Sequence, residues 1–183
     1  MPYPAKTNPR AILDVAMAQL ERDGANRFSV RAVAAELGLA PNALYRYYAD
    51  REALLAAVAN EGSRLLLTTL ENATRGQTGE AAVRSLATGY LGFARTRPTL
   101  YGTVMDEHVF SEGFHPAHED LWDFATGLLR DVAGEDAAEA TVAVWGLLHG
   151  VVGLEQAGTF GERKPGGGVD FGLDALLKGI ARP

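Results

Sequence analysis

A chain of 183 residues that is 47% apolar is long enough to bury a core and too apolar for global disorder, so one domain, or a small domain joined to a larger one, is expected. The absence of cysteine excludes disulfides, thiol nucleophiles and thiolate-held metals. A net charge of −6 argues against a nucleic-acid partner for the chain as a whole, but the charge is unevenly spread. Residues 1–60 carry seven basic and six acidic side chains, and residues 61–183 carry ten and seventeen, so any surface for a polyanion belongs to the first third. The opening MPYPAKTNPR has no apolar core of a signal peptide, and no uninterrupted apolar run approaches the roughly 20 residues of a membrane span. A cytoplasmic protein with no membrane partner is the expectation.

The apolar pattern is helical throughout, and no alternating run with hairpin turns appears, so the fold class is all-α. Asn8 and Pro9 open a first helix as N-cap and N1, with Ile12, Val15, Ala16 and Leu20 as its stripe and Gly24 as its stop. Phe28-Ser29 leads into a second helix carrying Val30, Val33, Ala34 and Leu37, which Gly38 ends. Pro41 starts a short third helix reading NALYRYY, and Asp50 caps a long fourth that runs to about Leu70. After GQTG at 76–79 come a fifth helix over about Glu80 to Arg95 and a sixth from Pro98. A loop, DEHVFSEG at 106–113, precedes a seventh over about Pro116 to Val132. An eighth runs from about Asp136 to Ala157, and a connection, TFGERKPGGGV, leads to a ninth capped by Asp170.

Residues 29–48 have helix-turn-helix spacing: a short helix, a turn at glycine and a second short helix. Ala34 is small where the helices cross, and Leu37, Leu39 and Leu44 supply the contacts that fix the crossing. The second helix then offers Asn42, Ala43, Arg46 and Tyr47. Asparagine can bond adenine twice, arginine can pair with guanine or phosphate, and an alanine methyl suits a thymine methyl. Generic helical hairpins share this spacing, so the spacing alone does not decide.

The run FSVRAVAAELGLAPNALYRYYADREALLAAV at 28–58 resembles the DNA-binding domain of TetR-family transcriptional regulators. The likeness extends over about 50 residues, from a first helix like residues 9–24, through the Ser-Val-Arg start of the second helix, to the Arg-Glu-Ala-Leu-Leu start of the fourth. Ala40 and Ala43 stand where serine or threonine is common in that family, which shifts expected contacts to Asn42, Tyr45, Arg46 and Tyr47. The resemblance implies phosphate contacts from Tyr45, Tyr47 and Arg51, an anion site at the amides near Ser29 and Val30, a base contact from Arg31, and a core place for Tyr48. It divides the chain into a helix-turn-helix DNA-binding domain, residues 1–52, and a helical ligand-binding and dimerisation domain, residues 53–183. The implied partners are a double-stranded operator, an apolar or aromatic small-molecule effector and a second copy of the chain. No cofactor and no metal are expected.

In the second part, Trp145-Gly146-Leu147-Leu148-His149-Gly150 resembles the Trp-His-Gly signature of one subgroup of TetR-type C-terminal domains. Trp145, His149 and Val152 share a face by helical spacing, and Gly146, Gly150 and Gly153 share another. Glycine inside a helix costs about 1 kcal/mol against alanine, and close helix approach is the usual reason for it. His149 fits a hydrogen-bonded core position, an effector pocket or a metal. Tyr90, Phe93, Tyr101, Met105, Trp122 and Phe124 are the other pocket candidates, with plain core as the blander alternative. Gly146, Gly150 and Gly153 with Leu173, Leu176, Leu177 and Ile180 are the candidates for a two-fold interface.

A small helical metal-dependent hydrolase is the competing reading. It would use His108, His115 and His118 among the acidic residues of 106–120, where a solvated acidic loop is the simpler explanation. No GxSxG, HExxH or phosphate loop supports it, and the GGG at 166–168 lacks a following Lys-Ser/Thr. An adaptor using the helix-turn-helix for protein contact is the third reading.

Overall fold

The computed structural model describes residues 7–106, 116–161 and 167–180. Among these are nine α-helices and no strand. The helices are α1 (Pro9–Asp23), α2 (Val30–Glu36), α3 (Pro41–Leu44), α4 (Arg51–Thr74), α5 (Gly79–Thr96), α6 (Pro98–Val104), α7 (Pro116–Ala133), α8 (Ala137–Gln156) and α9 (Gly168–Ile180). The chain packs as two compact units, Met1–Arg64 with Arg97–Ala117, and Leu65–Thr96 with His118–Pro183. The boundary drawn from sequence at 52 and 53 concerns recognition; it falls in the first turn of α4, whereas the packing units divide α4 further along.

In the first unit, local chemistry sets the helix ends. Asn8 Oδ1 accepts from Ala11 N at 2.9 Å, Ser29 Oγ from Ala32 N at 3.2 Å, and Asp50 Oδ1 from Ala53 N at 2.7 Å. Each satisfies an amide that the first turn of a helix leaves without an internal partner. Gly24 (φ 80°) and Gly38 (φ 66°) end α1 and α2 in left-handed backbone that disfavours a side chain. α1 buries Ile12, Ala16, Gln19 and Leu20, a spacing that keeps them on one face against α2 and α6. Val33, Ala34 and Leu44 are fully buried at the α2–α3 crossing.

Charge ties α4 to α1. Glu61 is 4% exposed, and its carboxylate bridges Arg10 Nη1 at 2.6 Å and Arg64 Nη1 at 2.9 Å. Arg10 also reaches Asp14 at 3.0 Å, and these carboxylates hold its guanidinium pKa above the ordinary value, the hydrogen bond to Glu61 being the largest cause. Gly62 lets α6 approach α4 closely, because a Cβ there would lie 2.5 Å from Val104 Cγ2.

In the second unit, α5 and α9 both pack on α8. Arg95 forks onto Glu155 at 2.9 and 2.6 Å, and Arg84 meets Asp174 at 2.7 Å. Gly172 of α9 sits against Leu147 of α8, where a Cβ would approach Leu147 Cδ1 and Cδ2 to 2.8 Å. Within the chain, close helix approach uses Gly172, and the α8 glycines Gly146, Gly150 and Gly153 have open space at the Cβ position. α8 begins at Ala137 after a single 3-10 turn over Gly134–Asp136. Asp170 lies inside the first turn of α9 instead of capping it, since that helix already starts at Gly168.

One composition-based expectation needs amending. Within Pro116–Gln156 an 18-residue window has a mean hydropathy of 1.4, enough by length and composition to cross a membrane. A third of that window is buried inside the chain. α8 buries Ala137, Ala140, Thr141, Val144, Leu148 and Val152 on one side and places Val142 and three glycines on the other.

Candidate nucleic-acid interface and cavity

The second element of the helix-turn-helix is shorter than the expected NALYRYY helix. Regular helix covers only Pro41–Leu44, and Tyr45 to Tyr47 continue as turn, held by Tyr47 N and Tyr48 N donating to Leu44 O at 2.8 and 3.0 Å. Pro41 supplies the preset φ at N1, and no side chain caps the helix because Ala40 stands at the N-cap. Leu44 is fully buried, so it anchors the element and turns its neighbours outward. Asn42, Tyr45, Arg46 and Tyr47 are exposed together, with Ala43 half-buried. Tyr45 at 48% and Tyr47 at 37% are among the few large apolar-bodied side chains left exposed. Arg31 projects from α2 into solvent.

Other expected contacts are placed differently. Val30 is in the core at 7% exposure, so only its backbone could meet an anion. Ser29 spends its hydroxyl on the cap, and its carbonyl takes Ala32 N and Val33 N, both at 3.1 Å. Arg51 folds back on the chain while staying partly exposed: Nε donates to Phe28 O at 3.3 Å, Nη2 donates to Ala25 O at 3.1 Å, and the guanidinium lies over the Phe28 ring. In this structure the side chain forms a staple between α4 and the segment before α2. Tyr48 is half-buried, and that burial raises its phenol pKa. The Tyr47 hydroxyl donates to Thr7 O at 3.1 Å, which draws the start of α1 to the recognition segment. Sequence reasoning had no signal for this link, nor for Glu61, since each depends on helices distant in sequence.

The second unit holds a cavity. Leu70 of α4 and Leu86 and Tyr90 of α5 form one side; Leu121, Ala125 and Leu129 of α7, and Thr141, Val144, Trp145 and Leu148 of α8, form the rest. Of the expected pocket residues only Tyr90 lines it. Phe93 is buried elsewhere in the core, and Trp122 and Phe124 are half-buried beside it on α7. Tyr101 of α6 and Met105, just past its end, belong to the other unit. His149 is exposed, neither core nor cavity wall, because it falls one residue, about 100° of helical rotation, past the buried Leu148. Trp145, read from sequence only as part of a motif, is the centre of an aromatic cluster. Its ring lies 6.4 Å from Tyr90 edge-on, 6.3 Å from Trp122 in a stack, and 5.6 Å from His118.

The interface candidates separate into two groups. Leu173 and Leu177 are buried within their own chain. Leu176 and Ile180 are half-buried, and Gly146, Gly150 and Gly153 face solvent. Val142 at 60% and Phe171 at 80% add to that exposed surface of α8 and α9. Of the 106–120 cluster, His108 and His115 lie outside the described residues. Among the described residues no three metal-ligating side chains converge, and the hydrolase reading has no geometric support.

Comparison with known proteins bears on the same two segments. Residues 12–58 match the family of bacterial regulatory proteins of the tetR type. Residues 83–176, which include the Trp145–Gly150 motif, match the tetracyclin repressor-like C-terminal domain. An uncharacterised HTH-type transcriptional regulator of Mycobacterium tuberculosis is 27% identical over 161 residues, covering 85% of this chain and 73% of that one. A solved protein of unknown function from Rhodococcus sp. RHA1 has the same fold, with a TM-score of 0.78 at 23% identity over 99% of this chain and 97% of that one. A TetR variant from Acinetobacter baumannii, solved in complex with minocycline, superposes with a TM-score of 0.69 at 19% identity, covering 94% and 96%. Family matches to both segments, together spanning most of the chain, establish that this protein belongs to the TetR family of transcriptional regulators and is not an enzyme.

Proposed function

We propose that this regulator is a cytoplasmic repressor that binds a pseudo-palindromic operator as a homodimer and is released by a small-molecule effector. The observation that carries the reading is the joint exposure of Asn42, Tyr45, Arg46 and Tyr47 around the buried anchor Leu44. Asn42 and Arg46 are the base-reading candidates. Tyr45, Tyr47 and Arg31 are the candidates for phosphate and flanking contacts. Four side chains on a one-turn helix and the turn that follows it give too little contact for tight specific binding, so two heads on a two-fold axis are needed. Their major grooves then lie about 34–36 Å apart or a multiple of that. The uncharged outer surface of Val142, Gly146, Gly150 and Gly153 on α8, with Phe171, Leu176 and Ile180 on α9, supports a two-fold four-helix bundle.

The cavity around Trp145 is the effector site in this reading. The minocycline complex of the Acinetobacter neighbour shows a ligand held by this fold, which supports a ligand here without identifying it. Coupling between effector and operator of about 1–3 kcal/mol would lower DNA affinity roughly 5–150-fold. Gel-shift titration of the full chain with operator duplex, at two salt concentrations, tests the DNA half. Binding that falls steeply with salt and is lost in Arg46→Ala supports it, whereas salt-independent or absent binding refutes it.

A further inference from the structure

The charges of the first unit are unevenly neutralised. Of its described arginines, Arg10, Arg22, Arg51, Arg64 and Arg97 each meet a carboxylate, whereas Arg27, Arg31 and Arg46 meet none among the described residues. The three lie in one stretch, residues 25–49, whose one acidic side chain, Glu36, is held by Arg22 of α1. A chain with a net charge of −6 thus leaves its helix-turn-helix segment with uncompensated positive charge. Arg31 and Arg46 already have places in the DNA-binding reading. Arg27, which precedes α2, has none.

The backbone turns Arg27 outward. It ends the 3-10 turn Ala25–Arg27, where Arg27 N donates to Gly24 O at 3.2 Å and Phe28 N donates to Ala25 O at 3.3 Å. Phe28 and Ser29 follow as extended backbone, so successive side chains alternate sides. Phe28 is 3% exposed and Val30 is 7% exposed, which puts Arg27 on the outer side, ahead of the exposed Arg31 of α2. Arg51 gives donors to Ala25 O and Phe28 O of the same turn. The uncommitted guanidinium at this corner is that of Arg27.

Resting on the reading of this protein as a DNA-binding regulator, we propose that Arg27 is a further DNA contact, pairing with a backbone phosphate beside the groove that Asn42 and Arg46 enter. A guanidinium offers a phosphate two parallel donors. Unlike the paired arginines of the unit, Arg27 has no ion pair to break before it takes one. A phosphate contact fixes the head on the duplex and carries no sequence information of its own.

The probe is the duplex most enriched by the native full chain from a random-sequence pool, with a shuffled duplex of the same composition beside it. Affinities are read by fluorescence anisotropy from about 50 to 200 mM salt. The proteins are the native chain, Arg27→Gln, Arg27→Ala, Arg27→Lys and Arg130→Gln, with circular dichroism to show which neutral variant keeps the fold. Arg130 is the control, an exposed arginine of α7 in the other unit with no ion pair among the described residues. If each of two copies loses one phosphate contact, the slope of log affinity against log salt becomes shallower by about 1.8 in the neutral variants. Across that salt range the native chain then loses about tenfold more affinity than they do. Arg27→Lys and Arg130→Gln keep the native slope, and the preference for the enriched over the shuffled duplex is the same in all. Three results overturn the phosphate contact while leaving the DNA-binding reading in place: an unchanged slope in the neutral variants, an equal fall in Arg130→Gln, or a fall in Arg27→Lys as large as in Arg27→Gln. A native chain that enriches no duplex overturns the DNA-binding reading and the Arg27 contact with it.

Discussion

Arg51 lies over the ring of Phe28, its guanidinium carbon 5.8 Å from the ring centroid, while its Nε donates to the carbonyl of the same residue at 3.3 Å. A second bond, to Ala25 O at 3.1 Å, fixes the planar head in one plane. The geometry suits a guanidinium fork and not an ammonium. Arg51→Lys should therefore destabilise the first unit by about 1–2 kcal/mol, seen as a lower midpoint in urea. If the residue acts as a staple, Arg51→Ala should leave the salt slope of DNA binding unchanged. A slope reduced by about one would restore the phosphate role.

Arg46 gives the complementary expectation. It is exposed and has no partner among the described residues. Arg46→Ala should weaken operator binding by about 1–3 kcal/mol with the urea midpoint unchanged. If Arg46 touches phosphate, the salt slope falls by about one. If it reads a base, specificity relaxes at one position. Gel shifts over a salt series and over single-position operator variants separate these outcomes, and unchanged affinity would remove Arg46 from the interface.

Two glycines should respond in opposite directions. A Cβ on Gly62 would lie 2.5 Å from Val104 Cγ2 and 3.1 Å from Leu100 Cδ1, so Gly62→Ala forces α6 off α4 and should cost about 1–3 kcal/mol. Gly92, inside α5 and exposed, has nothing within 4 Å. Gly92→Ala should stabilise by about 0.5–1 kcal/mol through helix propensity alone. Thermal midpoints of the two variants provide the check; a neutral Gly62→Ala would show that α4 and α6 can separate at little cost.

Tyr48 sets an alkaline limit. Burial raises its phenol pKa in the folded state, so the unfolded chain ionises first as pH climbs. The stability this group contributes is complete below its unfolded pKa of about 10 and is lost as pH rises through the folded value. Tyr48→Phe should therefore lose less stability than the native chain between pH 8 and 11 in paired thermal melts. Equal losses would mean that the phenol stays neutral in neither state preferentially.

The helix order was legible from capping chemistry and spacing: Asn8, Ser29 and Asp50 each cap the helix they were expected to cap. The exposed recognition residues were legible too, because Leu44 is the one large apolar residue of its short helix and must point inward. What spacing could not supply was tertiary. A helical wheel cannot tell which wall of α8 meets α7, so Trp145 entered as a motif and His149 as a core candidate, whereas packing put the indole at the cavity and the imidazole outside. The role of Arg51 depended on where the Phe28 and Ala25 carbonyls end up, 23 and 26 residues away in the chain. The close approach of Gly172 to Leu147 was not legible either, since sequence does not show which helix face has a neighbour.

We propose that two copies of this chain read DNA through the exposed residues around Leu44. Selection of bound duplexes from a random pool by the full chain tests it most directly, run in parallel with the Arg46→Ala and Tyr45→Ala variants. The account predicts enrichment of one inverted repeat, its half-sites centred about 34–36 Å apart or a multiple of that, and loss of that enrichment in the variants. A pool with no enriched inverted repeat, or an enrichment that both variants retain, would contradict it.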